Sequence, residues 1–221
     1  MSKIEVTFVD SMGSDLSVVN AARVSFGKSS QLVFTDDPDD CGSLSDRDIK
    51  LINYLANHKH VSPFGHAFAS FHVKAPIFVA RQLVKHKFLR WNEISRRYVD
   101  DEPEFYAPDV WRGRSADKKQ GSSDEDSGVA TNFNPVNDMC LKSYNNLLAT
   151  GVAPEQARMV LPQSIMTEWH WSGSLDAFAA MCRLRCASDT QYETRLVADN
   201  ISKKMSELFP VSWDALIKEN N

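Results

Sequence analysis

The stretch HAFASFHVK at residues 66–74 alternates between apolar and polar side chains. Its odd positions are apolar: Ala67, Ala69, Phe71 and Val73. Because successive side chains of a strand point to opposite faces, this alternation predicts a strand in a sheet with one buried face. Pro76 follows, and proline suits the first turn of a helix, so we predict a helix from about 76 to 87.

The next stretch, RQLVKHKFLRWNEISRRY at residues 81–98, concentrates positive charge, and we call it the basic stretch. It holds six basic residues against one acid, Glu93, a local charge of +5, whereas the whole chain has a formal net charge of −4. A positive patch on an acidic protein favours an anionic ligand. The alternative is a solvated, charged helix end, and composition alone leaves it open.

Polar groups that could orient a ligand lie among these cations. Helical spacing places Gln82, Lys85 and His86 on one face, at i, i+3 and i+4. We expect the chain to continue as a turn that carries Asn92, Glu93 and Ser95. Ser95 has no histidine–carboxylate pair in the local sequence to activate it, so a substrate-binding hydroxyl is favoured over a nucleophile.

The rest of the chain predicts an α/β (α+β) protein with a central mixed or antiparallel sheet flanked by long helices. We treat residues 1–221 as a single domain with a long polar loop at about 113–132. Strands are expected at 4–9 and, as a strand or edge segment, within 161–174. Helices are expected at about 18–28, 46–57, 135–150, 175–186 and 189–208, with a short helix that begins at Pro154.

Composition and targeting signals set the broad class. Hydrophobic residues at 43% and charged residues at 24% are typical of a soluble globular protein. No apolar run approaches the roughly 20 residues that span a bilayer. The start, MSKIEVTFVD, lacks the apolar region of a signal peptide, so a cytoplasmic protein is expected. The four cysteines and the histidines show no disulfide or metal-ligand spacing, and we predict no metal.

A family resemblance begins in the basic stretch. The pattern K-H-K-x7-S, from Lys85 to Ser95, resembles the R-H-R-x7-S signature of the flavin-dependent thymidylate synthases. Other segments resemble the same family in the same order: AARVSF at 21–26, HVSPFGH at 60–66, FHVKAPIFVARQ at 71–82, KKQGS at 118–122, ARMVLP at 157–162 and LRCASDTQYE at 184–193. Together they cover nearly the whole chain, and such an ordered set is far more specific than any single motif.

The resemblance implies a thymidylate synthase-complementing fold and a reaction. The family methylates dUMP to dTMP, with 5,10-methylenetetrahydrofolate as carbon donor and reduced FAD as hydride donor, and NADPH usually reduces the FAD. It implies a homotetramer with active sites at subunit interfaces, small-molecule substrates, and no nucleic-acid or membrane partner. The phosphates of these ligands would account for the cations of the basic stretch.

The resemblance also implies roles for single residues. The expected dUMP-binding residues are Gln82, Lys85, Glu93, Ser95, Arg96, Arg97, Arg158 and Arg185. The expected FAD-binding residues are His60, Ser62, Lys85, His86, Lys87, Glu93 and Ser174.

Arg185 is the expected catalytic residue. It matches a family arginine thought to stabilise negative charge on the uracil ring. Activation of uracil C5 pushes electron density onto the N3–O4 region, and a fixed guanidinium there would lower the barrier. The alternative is a structural ion pair of Arg185 with Glu193 or Asp189.

The sequence departs from the family pattern mainly around the flavin. Lys85 and Lys87 stand where arginine is usual, which keeps the charge but loses the planar guanidinium, so we expect weaker FAD binding. Gly65 stands where a glutamate is common. Asparagine or arginine is common at the positions of Ser174, Asp176 and Ala180. We assign no flavin role to Asp176 or Ala180.

Three other functions remain open at this stage. One is a same-family enzyme that acts on a related pyrimidine nucleotide. Another is an RNA-binding protein that uses KHKFLRW, residues 85–91, for charge and base stacking, although the acidic total charge opposes it. The third is a non-catalytic relative that binds nucleotides.

Overall fold

A computed structural model gives the fold and describes residues 2–37, 39–99, 101–116, 121–129 and 134–218. The strands are Glu5–Met12 (β1), Phe68–Pro76 (β2), Leu89–Glu93 (β3), Arg112–Arg114 (β4), Ser122–Asp126 (β5) and Met166–Ser174 (β6). The α-helices are Asp15–Arg23 (α1), Asp46–Asn57 (α2), Ile77–Leu83 (α3), Asn134–Ala149 (α4), Pro154–Ala157 (α5), Leu175–Arg185 (α6), Tyr192–Leu208 (α7) and Pro210–Ile217 (α8). Short 3-10 helices are Val24–Phe26, Ser62–His66 and Arg158–Val160. Over the described ranges, no helix is long and apolar enough to cross a bilayer.

The main sheet has four antiparallel strands in the order β1-β2-β6-β3, which confirms the α+β prediction. The odd positions of β2 are buried and its even positions as far as Lys74 are partly or fully exposed, so the predicted alternation is confirmed. The strand begins at Phe68, two residues later than predicted, because residues 62–66 form a 3-10 helix. The first strand begins at Glu5 and extends to Met12, beyond the predicted end.

β6 is a central strand, so the edge alternative for residues 161–174 is wrong. It pairs with β2 on one side and with β3 on the other. Trp171 lies between Phe71 of β2 and Trp91 of β3 in the strand register. The ring of Phe178 in α6 meets Trp171 and Phe71 edge-on, at centroid distances of 5.7 and 5.3 Å. This aromatic row fixes α6 against the inner face of the sheet.

The second half of the basic stretch forms a strand where we predicted a turn. α3 ends at Leu83 instead of 87, and Phe88 then adopts a left-handed φ of 65°. The reversal lets Leu89–Glu93 pair with β6, which satisfies backbone groups that a turn would leave to water. Leu89 lies opposite Gly173, where a Cβ would overlap the Leu89 side chain. The signal was weak because this edge strand has few apolar residues.

α2 has the predicted bounds, and its cap explains why. The Ser45 hydroxyl accepts a hydrogen bond of 3.2 Å from the backbone N–H of Asp48. The buried Asp48 carboxylate accepts from Arg23 Nε at 3.0 Å and from the Ser30 hydroxyl at 2.9 Å. Asp48 therefore caps α2 with Ser45 and also connects α2, by hydrogen bonds, to Arg23 at the end of α1 and to Ser30.

The ends of α1 and the existence of α8 were mispredicted. α1 begins at Asp15, after Ser14 as N-cap, and gives way to a 3-10 helix after Arg23. Asp15 is buried, and its carboxylate accepts hydrogen bonds from the backbone N–H groups of Val211 and Ser212, at 3.0 and 2.9 Å. No helix was predicted after residue 208, but a proline suits the first turn of a new helix, and α8 begins at Pro210.

The other predictions differ from the structure at their boundaries. α4 and α6 end within one residue of the predicted bounds. α7 begins at Tyr192 instead of 189, because the Thr190 hydroxyl donates to the Leu184 carbonyl and holds the turn after α6. The polar segment 113–132 contains most of β4 and all of β5, which pair with each other, while its residues 117–120 and 130–132 lie outside the described residues.

We expect Asp48→Asn to lower the free energy of unfolding at neutral pH by about 3 kcal/mol, because it leaves the Arg23 charge unpaired in a nearly buried site. Burial alone would raise the pKa of Asp48, but hydrogen bonds from Ser45, Arg23 and Ser30 outweigh it and hold that pKa below its ordinary value. Such a group adds stability above the unfolded-state pKa of about 4 and loses it as the pH falls through the folded-state pKa.

Urea unfolding at several pH values measures this effect. The difference between the wild type and Asp48→Asn should shrink as the pH falls below about 4. Asp46→Asn, in the exposed first turn of the same helix, is the matched control and should change stability little. An equal loss for the two variants, or a loss that does not depend on pH, would contradict the assigned role of Asp48.

Candidate functional site

Most of the expected site residues fall into three clusters, and each cluster lines a different cavity. We name the cavities after one residue: the Ser95 cavity, the Arg185 cavity and the Lys87 cavity. Their volumes are about 380, 340 and 740 Å³. Among the described residues, none lines more than one of the three.

The Ser95 cavity holds most of the expected nucleotide-binding residues. It is lined by Glu93, Ser95, Arg96, Arg97 and Arg158, and also by Arg81, which the resemblance did not assign. Four guanidinium groups against one carboxylate give this cavity the charge that a phosphate prefers.

Glu93 is held firmly at the end of β3. One carboxylate oxygen accepts from the Thr167 hydroxyl at 2.7 Å, and the other accepts from Trp91 Nε1 at 3.0 Å. The Ser95 hydroxyl accepts from the backbone N–H of Arg97 at 3.3 Å. The cavity therefore combines a fixed carboxylate with several guanidinium groups.

The Arg185 cavity holds the other expected nucleotide-binding residues, Gln82, Lys85 and Arg185. Arg185 Nε donates to His86 Nε2 at 2.9 Å, and Arg185 Nη2 donates to the Gln82 carbonyl at 3.3 Å. Two hydrogen bonds thus orient the guanidinium. Burial lowers the pKa of Arg185, but an arginine remains charged under ordinary conditions.

The ion-pair alternative for Arg185 is not what the structure contains. The carboxylate of Glu193 instead forms an ion pair with Arg112, in which both side chains are largely buried. Asp189 lines the Arg185 cavity but forms no ion pair with Arg185 in the described part of the chain.

His86 is a neutral imidazole in this setting. Burial, and then the positive charge of Arg185, lower the pKa of His86 to about 4. Arginine can only donate, so Nε2 must carry a free lone pair and the ring proton lies on Nδ1.

The Lys87 cavity contains part of the expected flavin site. His86 and Lys87 line it, together with three further cations, Lys59, Arg183 and Lys218. Asp176 and Ala180, which the sequence argument set aside, also line it. One carboxylate oxygen of Asp176 is buried without a hydrogen-bond partner in the described residues.

The other expected flavin residues lie elsewhere in the chain. His60 and Ser62 are exposed at the 3-10 helix, and His60 stacks on Tyr54 with a centroid distance of 6.2 Å. Ser174 is buried at the junction of β6 and α6. Glu93, which was expected to bind both dUMP and FAD, lines the Ser95 cavity. A single chain therefore does not bring the expected flavin residues together.

A fourth cavity, of about 610 Å³, was missed by the sequence argument. It is lined by apolar side chains such as Phe78, Tyr106 and Trp111 and by the Arg112–Glu193 pair. Burial, and then Glu193, raise the pKa of the Tyr106 hydroxyl. The run FYAPDVW at 105–111, rich in aromatic residues and proline, was the available signal. In the described ranges, no cluster of three or more His, Cys, Asp or Glu side chains could hold a metal ion.

Comparisons with known proteins cover nearly the whole chain. Residues 7–211 match the family model described as thymidylate synthase complementing protein. A flavin-dependent thymidylate synthase of Thermus thermophilus is 39% identical over 212 residues, which is 95% of this chain and 74% of that protein. Another, of Thermosipho melanesiensis, is 36% identical over 218 residues, 96% of this chain and 90% of that protein.

Solved structures are also similar to nearly the whole chain. A UMP/dUMP methylase of Streptomyces cacaoi bound with 5-Br dUMP has a TM-score of 0.79 and 33% identity, and the match covers 97% of this chain and 94% of that one. The same methylase bound with 5-Br UMP has a TM-score of 0.76 and 30% identity, with 98% and 95% coverage.

The left-handed turn at Phe88 leads to a prediction about stability. Phe88 is 82% exposed, so removing its ring costs little packing, whereas its φ of 65° is strained for most side chains. We expect Phe88→Asn to be more stable than Phe88→Ala by about 1 kcal/mol, because asparagine tolerates the left-handed region better. Both variants lose the ring, and urea unfolding compares them directly. Equal stabilities, or a more stable alanine variant, would show that the turn is not strained.

Proposed function

The chain belongs to the flavin-dependent thymidylate synthase family, and from this premise we propose that it methylates dUMP at uracil C5 to give dTMP. The proposed carbon donor is 5,10-methylenetetrahydrofolate, and the proposed cofactor is FAD, with NADPH as its reductant. The cytoplasm remains the proposed compartment, on the sequence argument alone.

The observation that carries this proposal is the fixed guanidinium of Arg185. His86 Nε2 and the Gln82 carbonyl hold it in place, in the wall of a cavity that also contains Lys85. Electron density that develops on N3 and O4 of uracil would meet a cation whose orientation was set before the reaction. Such preorganised groups lower a barrier because they need no rearrangement as charge develops.

The remaining residues of the Arg185 and Ser95 cavities have binding roles in this proposal. The four arginines of the Ser95 cavity suit the phosphate of a nucleotide, and Glu93 and Ser95 offer acceptors and a hydroxyl for its polar groups. Gln82 and Lys85 add donors near the uracil ring.

Two copies of the chain would be needed to build one nucleotide site. The Ser95 and Arg185 cavities share no lining residue, yet the family resemblance assigns residues of both to one ligand. We therefore propose that the Ser95 cavity of one subunit faces the Arg185 cavity of another, in a homotetramer.

The Lys87 cavity fits a phosphate-bearing cofactor. Its cations suit a diphosphate, and its apolar walls suit a ring system. Bound FAD, once reduced, supplies the hydride that completes the methyl group. His86 and Lys87 of one subunit would hold the FAD. His60, Ser62 and Ser174 would contribute only from another subunit of the assembly.

UMP is the second candidate substrate, and one observation favours it. The solved relatives are described as UMP/dUMP methylases and hold 5-Br dUMP or 5-Br UMP. The two nucleotides differ by the ribose 2′-hydroxyl, and a site that hydrogen-bonds this hydroxyl would prefer UMP strongly.

A visible absorption spectrum and a tritium-release assay test the proposal together. The purified protein, or the protein supplied with FAD, should show a flavin spectrum. It should release tritium from 5-tritiated dUMP when methylenetetrahydrofolate and NADPH are present. Faster release from 5-tritiated UMP would identify the second candidate. A protein that binds no flavin and releases no tritium from either nucleotide would overturn the proposal and favour a non-catalytic binding protein.

Arg185→Ala should reduce tritium release by about 10²–10³-fold, because it removes the preorganised cation at the uracil ring. The matched control is Arg47→Ala, which removes an exposed arginine of α2 that lines none of the four cavities. Steady-state rates at saturating nucleotide measure the effect. A loss of less than threefold for Arg185→Ala would rule out this catalytic role.

Mixed assemblies test whether the nucleotide site is shared between subunits. Arg158→Ala and Arg185→Ala each damage a different cavity, so each alone should be nearly inactive. Random mixing of the two chains by co-expression should restore activity at about a quarter of the sites, where each subunit contributes its undamaged cavity. Co-expression of two differently tagged Arg185→Ala chains is the control. Failure of mixed assemblies to regain activity would mean that one chain builds the whole site.

A further inference from the structure

The K-H-K segment of the chain is divided between two cavities. Lys85 lines the Arg185 cavity, whereas His86 and Lys87 line the Lys87 cavity. Arg185 lines only the first of these cavities and His86 only the second. The hydrogen bond of 2.9 Å from Arg185 Nε to His86 Nε2 therefore crosses the wall between them.

The imidazole of His86 can act on both sides of this wall because its two nitrogens differ. Nε2 accepts from Arg185, so the ring proton lies on Nδ1. That N–H has no hydrogen-bond partner in the described residues. An acceptor on a ligand in the Lys87 cavity, such as a phosphate oxygen, would find this donor beside the Lys87 ammonium.

A hydrogen bond at one imidazole nitrogen affects the other. When Nδ1–H donates to an acceptor, electron density shifts towards Nε2 and makes it a better acceptor. Burial, and the charge of Arg185, keep the pKa of His86 at about 4, so the ring stays neutral and does not lose its lone pair near neutral pH. A ligand on the His86 side would thus strengthen the bond that orients Arg185.

We propose that His86 is a positioning residue that couples the two cavities: a phosphate-bearing cofactor in the Lys87 cavity tightens the His86–Arg185 hydrogen bond and so improves nucleotide binding in the Arg185 cavity. Coupling of this kind is reciprocal, so the nucleotide improves cofactor binding by the same factor. Since this coupling presupposes the proposed function, the test begins with binding of each ligand alone.

Two substitutions separate the two nitrogens of the ring. The amide nitrogen of Asn lies near the position of Nδ1, so His86→Asn keeps a donor to the Lys87 cavity and loses the acceptor for Arg185. The amide oxygen of Gln lies near the position of Nε2, so His86→Gln keeps the acceptor and loses the donor. Neither side chain links the two positions through one conjugated ring.

The experiment measures the dissociation constant of FAD by flavin fluorescence, with and without saturating dUMP, in the full-length protein. The wild type should bind FAD at least about fivefold more tightly when dUMP is present. This ratio should fall to near one in both His86→Asn and His86→Gln. Nucleotide affinity without FAD should be weakened more in His86→Asn than in His86→Gln, because only Gln still holds Arg185.

Lys87→Ala is the matched control, because it removes a cation of the Lys87 cavity and leaves the His86–Arg185 bond in place. It should weaken FAD binding equally with and without dUMP and preserve the wild-type ratio. A circular dichroism spectrum establishes that each variant is folded.

The outcomes distinguish this coupling from the proposed function. If the wild type binds FAD and dUMP independently, or if both His86 variants keep the wild-type ratio, the coupling is overturned and the proposed function stands. If the wild type binds neither ligand, both the proposed function and the coupling are overturned.

Discussion

The close approach of β3 to β6 at Gly173 determines where the candidate site residues lie. No side chain fits at Gly173 because Leu89 fills the space above it, and this contact starts the pairing of the two strands. The chain must reverse at Phe88, just before Leu89, and must continue as an extended strand after Leu89. Lys85, His86 and Lys87 therefore stay on the α3 side of the reversal, and Glu93 reaches the far end of the strand, against Thr167.

This arrangement distributes the charge of the basic stretch instead of exposing it along one helix. Five of its six cations line three cavities. Buried ion pairs elsewhere stabilise the fold against the mutual repulsion of these cations. A neutral His86 between Lys85 and Lys87 removes one charge from the most crowded segment, and this neutrality follows from burial and from the arginine that it binds. The same bond that orients Arg185 thus reduces the repulsion around it.

Sequence patterns predicted the elements whose signals lie within the element itself. The alternation in β2 and the Ser45–Asp48 cap of α2 each act over a few residues, and both elements have the predicted bounds or nearly so. β3, the central position of β6 and the start of α8 depend on partners far along the chain, and local patterns carry little information about these.

The same distinction between local and long-range information applies to the candidate site. The K-H-K motif, Arg158 and Arg185 could be found by resemblance, because residue types at fixed spacing carry that information. Their separation into different cavities could not be predicted from the sequence, because it depends on how the chain packs. The contact between His86 and Arg185 joins residues 99 positions apart, and the fourth cavity has walls from several distant elements.

The carboxylate of Asp15 fixes the first turn of α8, although nearly 200 residues separate them. α8 in turn supplies Ala215 and Leu216 to the wall of the Lys87 cavity, and the Leu216 carbonyl holds Arg183 at 2.6 Å. During synthesis on the ribosome the sheet can pair as soon as β6 emerges, but this cavity remains open on one side until α8 has left the exit tunnel. A nascent chain that stalls within α7 would therefore hold its paired sheet without a complete Lys87 cavity.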